Sequence, residues 1–345
     1  MNYAGLDVHK DFVQACFIDK HGKKIAEQKF ETTNRGLKHL QNQVRDMRCV
    51  IESSTSCYPV YDSLKDANVR VRVAHPLKVK AIASAKTKTD KIDAYMLAQL
   101  ERADLIPESH IPDKLTRRER ELVKQHVSLV QHRTAEINKT KALLLKHGVK
   151  TPCPDFKTIR ALKTAERLAP ENAKFLVHQN AELILFLNEQ IKSVDALIQE
   201  QAEQNADAVL LKTIPGMGWF SALTLSAFID GVDRFPSEAH LASYCGLTPS
   251  VYQSGNSPAR TGRLSKQGNL LLRWVLVQDA WAAVMHYPVF RKMFRKKSKK
   301  IGVKKAVVYV ARKLVKIVFG VLSRRQAFNE RLLVGRGRAD SSKKL

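Results

Sequence analysis

The chain has 345 residues, of which 59 are Lys or Arg and 33 are Asp or Glu, so its formal net charge is +26. With 44% hydrophobic and 27% charged residues, the composition excludes a wholly disordered, collagen-like or coiled-coil-only protein. No run approaches the roughly 18 apolar residues of a membrane span, and the first ten residues do not resemble a signal peptide. Five widely spaced cysteines without a CxxC pair argue against a disulfide framework and a cysteine-rich zinc site. We therefore expect a cytoplasmic protein whose first partner is a polyanion.

The positive charge is concentrated at the C-terminal end of the chain. Residues 291–345 contain 19 Lys and Arg but only two acids, Glu330 and Asp340. Apolar residues in 306–322 recur at helical spacing, which predicts an amphipathic helix with a structured basic face. Such a face would bind phosphates, whereas the alternative is a solubilising tail.

The N-terminal segment predicts a mixed α/β sheet. Strands are expected at residues 3–8, 12–18 and 24–30, with a turn at 19–22. Helices at 34–46 and 60–67 then alternate with strands at 49–51 and 69–73.

Two long helices are predicted next, at residues 113–147 and 180–204, from apolar residues at helical spacing. They could pair as an antiparallel hairpin within one chain or form a seam between subunits, and both alternatives stay open. Beyond residue 206 the pattern changes to short helices interrupted by glycines.

Four acids lie at positions where an α/β sheet would expose them. Asp7 is near the end of the first strand, Glu52 follows a buried strand, and Asp90 and Asp93 are three residues apart at a helix start. Carboxylates packed together would repel one another unless a divalent cation lay between them, and oxygen ligands suit Mg²⁺ or Mn²⁺. The alternative is that each acid has a local role, as a helix cap, a first-turn residue or a loop residue. Asp7 interrupts an apolar strand, where an unpaired acid would be costly to bury.

The C-terminal half contains two motifs that suggest contact with phosphate. Gly216 and Gly218 precede an apolar helix at 220–229, as in a helix-hairpin-helix turn whose backbone amides approach a phosphate, although a plain helix-helix turn has the same pattern. Ser254 stands before a glycine in a loop leading into a helix expected to start near Lys266, and an ordinary turn is its alternative. The neighbouring cations would attract a phosphate; they are Arg260, Arg263, Lys266 and Arg273.

These motifs together resemble the IS110 family of insertion-sequence transposases. The Gly-Leu-Asp-Val-His-Lys, Ile-Glu-Ser-Ser and Lys-Thr-Asp-Lys-Ile-Asp-Ala segments are similar to its RuvC-like DEDD domain, which has the ribonuclease H-like fold. The Gly-Leu-Thr-Pro, Ser-Gly and Leu-Ser-Lys-Gln-Gly-Asn-Leu-Leu-Leu-Arg segments look like its C-terminal transposase domain. The resemblance covers residues 1–325.

The resemblance implies a domain order and a set of site residues. It implies a RuvC-like domain at 1–110, a helical coiled-coil region at 111–205, a mainly helical transposase domain at 206–325 and a basic tail at 326–345. It also implies a Mg²⁺-binding tetrad of Asp7, Glu52, Asp90 and Asp93, and a serine nucleophile, for which Ser254 is the first choice. Ser250, Ser257 and Ser265 are the rival serines.

The function implied is that of a prokaryotic mobile-element recombinase, associated with the nucleoid, that cuts and rejoins donor and target DNA. Family resemblance also implies guidance by a noncoding bridge RNA and a homodimer that pairs into a homotetramer. One rival function is a metal-dependent endonuclease of the Holliday-junction type, which needs the carboxylates and no serine. Another is a non-catalytic nucleic-acid-binding protein in which the acids are structural.

Overall fold

The structure is a computed structural model, and it describes residues 1–83, 89–150, 155–253, 260–265 and 267–329. It divides the chain into two compact units, Met1–Ile111 and Pro112–Leu345. None of the helices in the described ranges is both long enough and apolar enough to cross a membrane.

The first unit is built on one mixed five-stranded sheet. Its strands are β1 Asn2–Val8, β2 Phe12–Ile18, β3 Lys24–Glu31, β4 Met47–Glu52 and β5 Arg70–Ala74. Their order in the sheet is β3-β2-β1-β4-β5. Strands β1, β2 and β3 form an antiparallel meander, whereas β4 pairs in parallel with both β1 and β5. The mixed α/β architecture predicted for this segment is confirmed.

Helices cover both faces of this sheet. They are α1 Asn34–Val44, α2 Cys57–Asp66, α3 Pro76–Ile82 and α4 Asp90–Arg102. Because side chains alternate along a strand, Leu6 and Ile51 pack in the same core as residues of α1 and α2. Val50 on β4 points to the other face, where it packs with Leu97 and Leu100 of α4.

The second unit is helical apart from one two-stranded sheet. Its elements are α5 Lys114–Lys146, α6 Ile159–Leu168, α7 Glu171–Gln204, α8 Ala206–Lys212, α9 Trp219–Ile229, α10 Glu238–Tyr244, β6 Pro249–Tyr252, β7 Arg260–Leu264, α11 Leu270–His286, α12 Pro288–Ile301 and α13 Val303–Arg324. A short 3₁₀ helix at Val232–Arg234 lies between α9 and α10.

Helices α5 and α7 pack against each other as an antiparallel pair within one chain. Arg133 near the middle of α5 donates a hydrogen bond to Asn188 at 2.9 Å, while His126, earlier in α5, lies 3.0 Å from Asp195, later in α7. The reversed order of these contacts along the two helices defines the antiparallel direction. Of the two pairings that the sequence left open, the structure contains the one within a single chain.

The main core of the second unit joins one end of this helical pair to the C-terminal helices. Val123 of α5 and Ile198 of α7 are fully buried in the same cluster as residues of α9, α11 and α13. Helix α9 is apolar on almost every side, and nine of its eleven residues are buried.

Two predicted helices differ most in where they begin. The second long helix starts at Glu171 rather than at residue 180, because Ala173 and Val177 extend its buried stripe toward the N-terminus. The helix expected near Lys266 begins at Leu270, since Asn269 caps it by accepting hydrogen bonds from the amides of Leu271 and Leu272. Lys266 itself lies outside the described residues.

Candidate catalytic site

Two of the four acids lie at the carboxyl ends of adjacent parallel strands. Strands β1 and β4 are paired with Leu6 opposite Ile51, so Asp7 and Glu52 are the next residues along each strand. Side chains alternate along strands, and Leu6 and Ile51 face the core formed with α1 and α2. Asp7 and Glu52 therefore lie on the opposite face of the sheet, which α4 covers.

The other two acids are brought to this face by the close approach of α4. A Cβ atom on Gly5 would lie 1.9 Å from the carbonyl oxygen of Ala94. Only glycine permits that contact between strand and helix. Asp90 and Asp93 stand in the first turn of α4, and Thr89 caps the helix by accepting a hydrogen bond from the amide of Ile92.

His9 connects the strand acid to the helix acid. Its Nε2 atom lies 3.0 Å from Oδ2 of Asp7 and 3.5 Å from Oδ2 of Asp90. The ring stacks on Phe12 with 4.7 Å between centroids, and the His9 amide donates to the Phe12 carbonyl in the turn between β1 and β2. The imidazole is thus held by the turn beside both carboxylates.

The electrostatics of Asp7 reflect this crowding. Partial burial raises the pKa of the Asp7 carboxyl above its ordinary value, and nearby His9 opposes that rise. Asp90 and Asp93 raise the same pKa further because they add negative charge close to Asp7. At least three of the four acids therefore act on one another electrostatically.

The donor set at this place suits a divalent cation. One ligand atom from each of Asp7, His9 and Asp90 lies within 4.8 Å of the others. This cluster, among the described residues, does not include Glu52 or Asp93. Two carboxylates and an imidazole are ligands that Mn²⁺ accepts readily, whereas an all-oxygen set is the preference of Mg²⁺.

The candidate serine belongs to the small hairpin of the second unit. Strands β6 and β7 pair with Tyr252 opposite Arg260, and Ser254 falls in the connection between them, outside the described residues. Of its rivals, Ser257 also lies outside. Ser250 donates from its hydroxyl to the Arg263 carbonyl at 3.1 Å, and the Ser265 hydroxyl accepts from the amide of Gln267.

Among the predicted phosphate-binding residues, Arg260, Arg263 and Gly218 have the clearest access to solvent. Arg260 and Arg263 are exposed on β7, and Gly218 is exposed at the N-terminus of α9, with open space where a Cβ atom would lie. Arg273 instead donates to the carbonyls of Gly246 and Ser265, which ties α11 to the preceding loop.

Gly216 is required by packing. Its φ angle is +89°, and a Cβ atom there would lie 2.5 Å from the Asp279 carbonyl oxygen of α11. The glycine therefore lets the turn before α9 approach α11 closely, which explains its presence without a phosphate.

Sequence reasoning did not nominate His9 as a site residue. It follows Asp7 by two positions, a spacing that places alternate residues on one face of a strand. That spacing was the available signal, but the contact with Asp90 depends on where α4 lies.

The sequence of this chain matches family models and relatives among known proteins. A transposase model of the DEDD IS110 type matches residues 4–148, and a model described as the IS116/IS110/IS902 transposase family matches residues 208–295. The transposase of insertion element IS1111A from Coxiella burnetii is 27% identical, over 94% of this chain and 90% of its own. A pilin gene-inverting protein of Moraxella lacunata is 28% identical, over 96% of this chain and 98% of its own.

The two matches lie in the same order as the two units of the structure, and the first contains all four acids. The relatives match along nearly the whole chain rather than in one motif. The chain therefore belongs to the IS110 family of transposases, enzymes that cut and join DNA strands.

Proposed function

We propose that this transposase breaks DNA with a serine nucleophile, assisted by a divalent cation on Asp7, Glu52, Asp90 and Asp93, in a ribonuclease H-like first unit. The observation that carries the proposal is the convergence of β1, β4 and the start of α4 on one face of the sheet, with Asp7, His9 and Asp90 within 4.8 Å.

A bound Mg²⁺ or Mn²⁺ would supply Lewis-acid stabilisation of the charge that develops on phosphate oxygens. The chain's own residues supply the geometry. Gly5 admits α4, the Thr89 cap fixes its first turn, and His9 lies between Asp7 and Asp90, with Nε2 at 3.0 and 3.5 Å from their carboxylate oxygens. His9 thus acts as a positioning residue through Nε2, and the same nitrogen would bind the cation in place of that contact.

Ser254 is proposed as the nucleophile. Its Oγ would attack a backbone phosphorus, forming a phosphoserine ester as one strand end leaves as a hydroxyl, while the serine proton passes to a base. Because the ester keeps the phosphodiester bond energy, attack by another strand hydroxyl can rejoin DNA without an external energy source. The proposal requires the assembled DNA complex to bring this serine and the acids to one phosphate.

The Ser254→Ala substitution separates this mechanism from a metal-dependent nuclease. We expect the variant to lose strand joining and the denaturation-resistant protein-DNA adduct, while still binding Mn²⁺. Ser250→Ala serves as the matched control and should keep the adduct. Full joining by Ser254→Ala would instead support a Holliday-junction type of endonuclease that needs only the carboxylates.

The Asp7→Asn substitution separates catalysis from simple DNA binding. We expect it to abolish cleavage and weaken Mn²⁺ binding, with DNA binding in EDTA unchanged. An unaltered cleavage rate, without dependence on divalent ions, would show that the acids are structural and that the chain only binds nucleic acid.

The choice of DNA sequence is proposed to come from a noncoding bridge RNA that pairs with donor and target. This division leaves charge and shape recognition to the protein, which agrees with a net charge of +26. Sequencing of RNA that copurifies with the protein should return a transcript from DNA flanking its gene. The proposed dimer and tetramer are tested by mass photometry with and without that RNA.

A further inference from the structure

The last two described helices form a rigid basic surface. We define the basic face as Lys297 and Lys300 of α12 with Lys305, Arg312, Lys313 and Lys316 of α13. The spacings of three and four residues within each helix place these side chains on common sides.

Packing fixes the orientation of this face. In α13, ten residues including Val310, Leu314 and Val318 are buried in the core of the second unit, which turns the cations of the helix outward. Helix α12 is anchored by Phe290, which is buried, and by Phe294, whose ring lies 5.4 Å from that of Trp281. The cations thus lie on a fixed framework rather than on a loose tail.

Positive charge on this framework is barely compensated. The sequence from 288 to 329 contains no Asp or Glu. Of the six cations of the basic face, only Lys316 pairs with an acid in the described part of the chain, Glu238 at 3.0 Å. Bringing like charges together costs free energy that an external anion would recover.

Two of these cations converge on one aromatic ring. The Nζ atoms of Lys297 and Lys313 lie 4.6 and 5.8 Å from the centroid of the Tyr309 ring. The ring attracts both ammonium groups, and so holds the cations of two helices beside each other. Next to it, a cavity of about 280 Å³ between α10 and α13 is lined by Arg312, Lys313 and Lys316 together with Glu238.

We propose that the basic face binds the phosphate backbone of duplex DNA, the substrate that every transposase must hold. Lysine dominates the face, and lysine is a point charge for phosphate rather than a fork that reads base edges. On α13 the face runs from Lys305 to Lys316, about 16 Å along the helix, a length over which a duplex presents several phosphates. The inference rests on the proposed function for the identity of the polyanion, but it does not depend on the acids or Ser254.

A matched pair of quadruple variants tests the proposal in the full-length protein. The first neutralises the basic face with Lys297→Gln, Lys300→Gln, Lys305→Gln and Lys313→Gln. The control removes the same charge from exposed lysines of the helical region and its flanks, with Lys146→Gln, Lys150→Gln, Lys163→Gln and Lys192→Gln. Fluorescence anisotropy would follow binding of a 25-base-pair duplex of arbitrary sequence, in EDTA, from 50 to 300 mM KCl.

We expect the first variant to bind DNA about 10 to 100 times more weakly at 150 mM salt, with a salt slope reduced by about 0.9 for each phosphate that the face no longer neutralises. The control should show a smaller reduction in affinity. Equal reductions in both variants, or wild-type binding by the first, would overturn the proposal. Circular dichroism and the thermal midpoint verify that both variants are folded.

Two further experiments identify the nucleic acid that the basic face binds and separate this proposal from the proposed catalytic mechanism. Duplex RNA of equal length serves as the comparison, and a reduction in affinity confined to RNA would replace the proposed occupant. Asp7→Asn and Ser254→Ala should bind duplex DNA like the wild type in EDTA. Their failure to abolish catalysis would contradict the proposed mechanism while leaving the basic face intact.

Discussion

Gly5 illustrates how a single backbone position can determine the geometry of a site. Its neighbour on the same face of β1 is Asp7, and the helix that it admits carries Asp90 and Asp93. Any side chain at position 5 would displace α4, because the nearest obstacle is the helix backbone rather than a movable side chain.

The Gly5→Ala substitution should therefore damage both stability and cation binding. We expect a loss of about 1 to 3 kcal/mol in the free energy of unfolding, as for other overpacked cores. Mn²⁺ affinity should fall as well, since the first turn of α4 moves away from the sheet. Urea denaturation and Mn²⁺ titration measure the two effects. Gly218→Ala, which has open space around it, is the control for folding, and wild-type Mn²⁺ affinity in Gly5→Ala would contradict the close-approach argument.

Asp279 is a buried acid that the proposed mechanism does not use. Burial raises the pKa of its carboxyl to about 7, although Ser221 donates a hydrogen bond to Oδ1 at 2.6 Å. The folded state thus holds a proton that the unfolded state releases near pH 4. This residue therefore lowers stability as the pH rises from about 4 to 7, and its effect is constant above that range.

The Asp279→Asn variant should remove this dependence while keeping an acceptor for Ser221. Between pH 5 and pH 8 the wild type should lose more stability than the variant, by roughly 1 to 3 kcal/mol. Urea denaturation at pH 5 and pH 8 measures the change in stability of each protein. Comparing the two changes cancels the contributions of the titrating groups that both proteins share. Parallel pH profiles for the two proteins would show that Asp279 is ionised in the folded state.

At the scale of elements, the start of α4 is the part that positions two of the acids. The Thr89 hydroxyl accepts a hydrogen bond from the Ile92 amide at 3.3 Å, and the helix begins at Asp90. An N-cap holds the first turn in place, so the cap also sets the positions of Asp90 and Asp93. Helix α6 has the same cap in Thr158, which accepts from Ala161 at 3.2 Å.

The pair Thr89→Ala and Thr158→Ala separates helix stability from site geometry. Each should cost about 0.5 to 2 kcal/mol, the usual effect of losing an N-cap. Only Thr89→Ala should weaken Mn²⁺ binding because, of the two helices, α4 carries the candidate ligands Asp90 and Asp93 and α6 carries none of the four acids. Isothermal titration and thermal unfolding measure both quantities. Equal Mn²⁺ affinity in the two variants would mean that the first turn of α4 does not contact the cation.

At the scale of the whole molecule, the two units contain different residues whose signals can report their unfolding. All three tryptophans, Trp219, Trp274 and Trp281, are in the second unit. Three buried cysteines, Cys16, Cys49 and Cys57, are in the first unit, and Cys245 is a buried cysteine in the second. Ligand binding stabilises the folded state that binds it, so a cation on the acids should protect the first unit selectively.

Mn²⁺ should accordingly slow alkylation of Cys16, Cys49 and Cys57 while leaving Cys245 and the tryptophan fluorescence midpoint unchanged. If each cysteine is alkylated only when the whole first unit unfolds, Mn²⁺ at 100 times its dissociation constant should slow the alkylation about 100-fold. Mass spectrometry of the alkylated peptides in partial denaturant measures each site. Equal protection of Cys245 would show that the cation binds elsewhere or that the chain unfolds as one.

Much of the element pattern could be predicted because it depends on local periodicity. Alternating and continuous apolar runs located β1 to β5, and helical spacing located α5, α7 and α13. The predicted start of α7 at residue 180 is wrong because the buried stripe at Ala173 and Val177 is sparse, and the start of α11 depends on a capping contact at Asn269.

The sequence by itself determined the family, the four acids and the concentration of positive charge near the C-terminus, because residue identity and spacing carry that information. Only the tertiary structure decided that Asp7 and Glu52 share the face covered by α4, that His9 contacts both Asp7 and Asp90, and that Lys297 and Lys313 converge on Tyr309. These contacts join residues that are distant in the chain, and strand register and helix packing, rather than local propensity, bring such residues together.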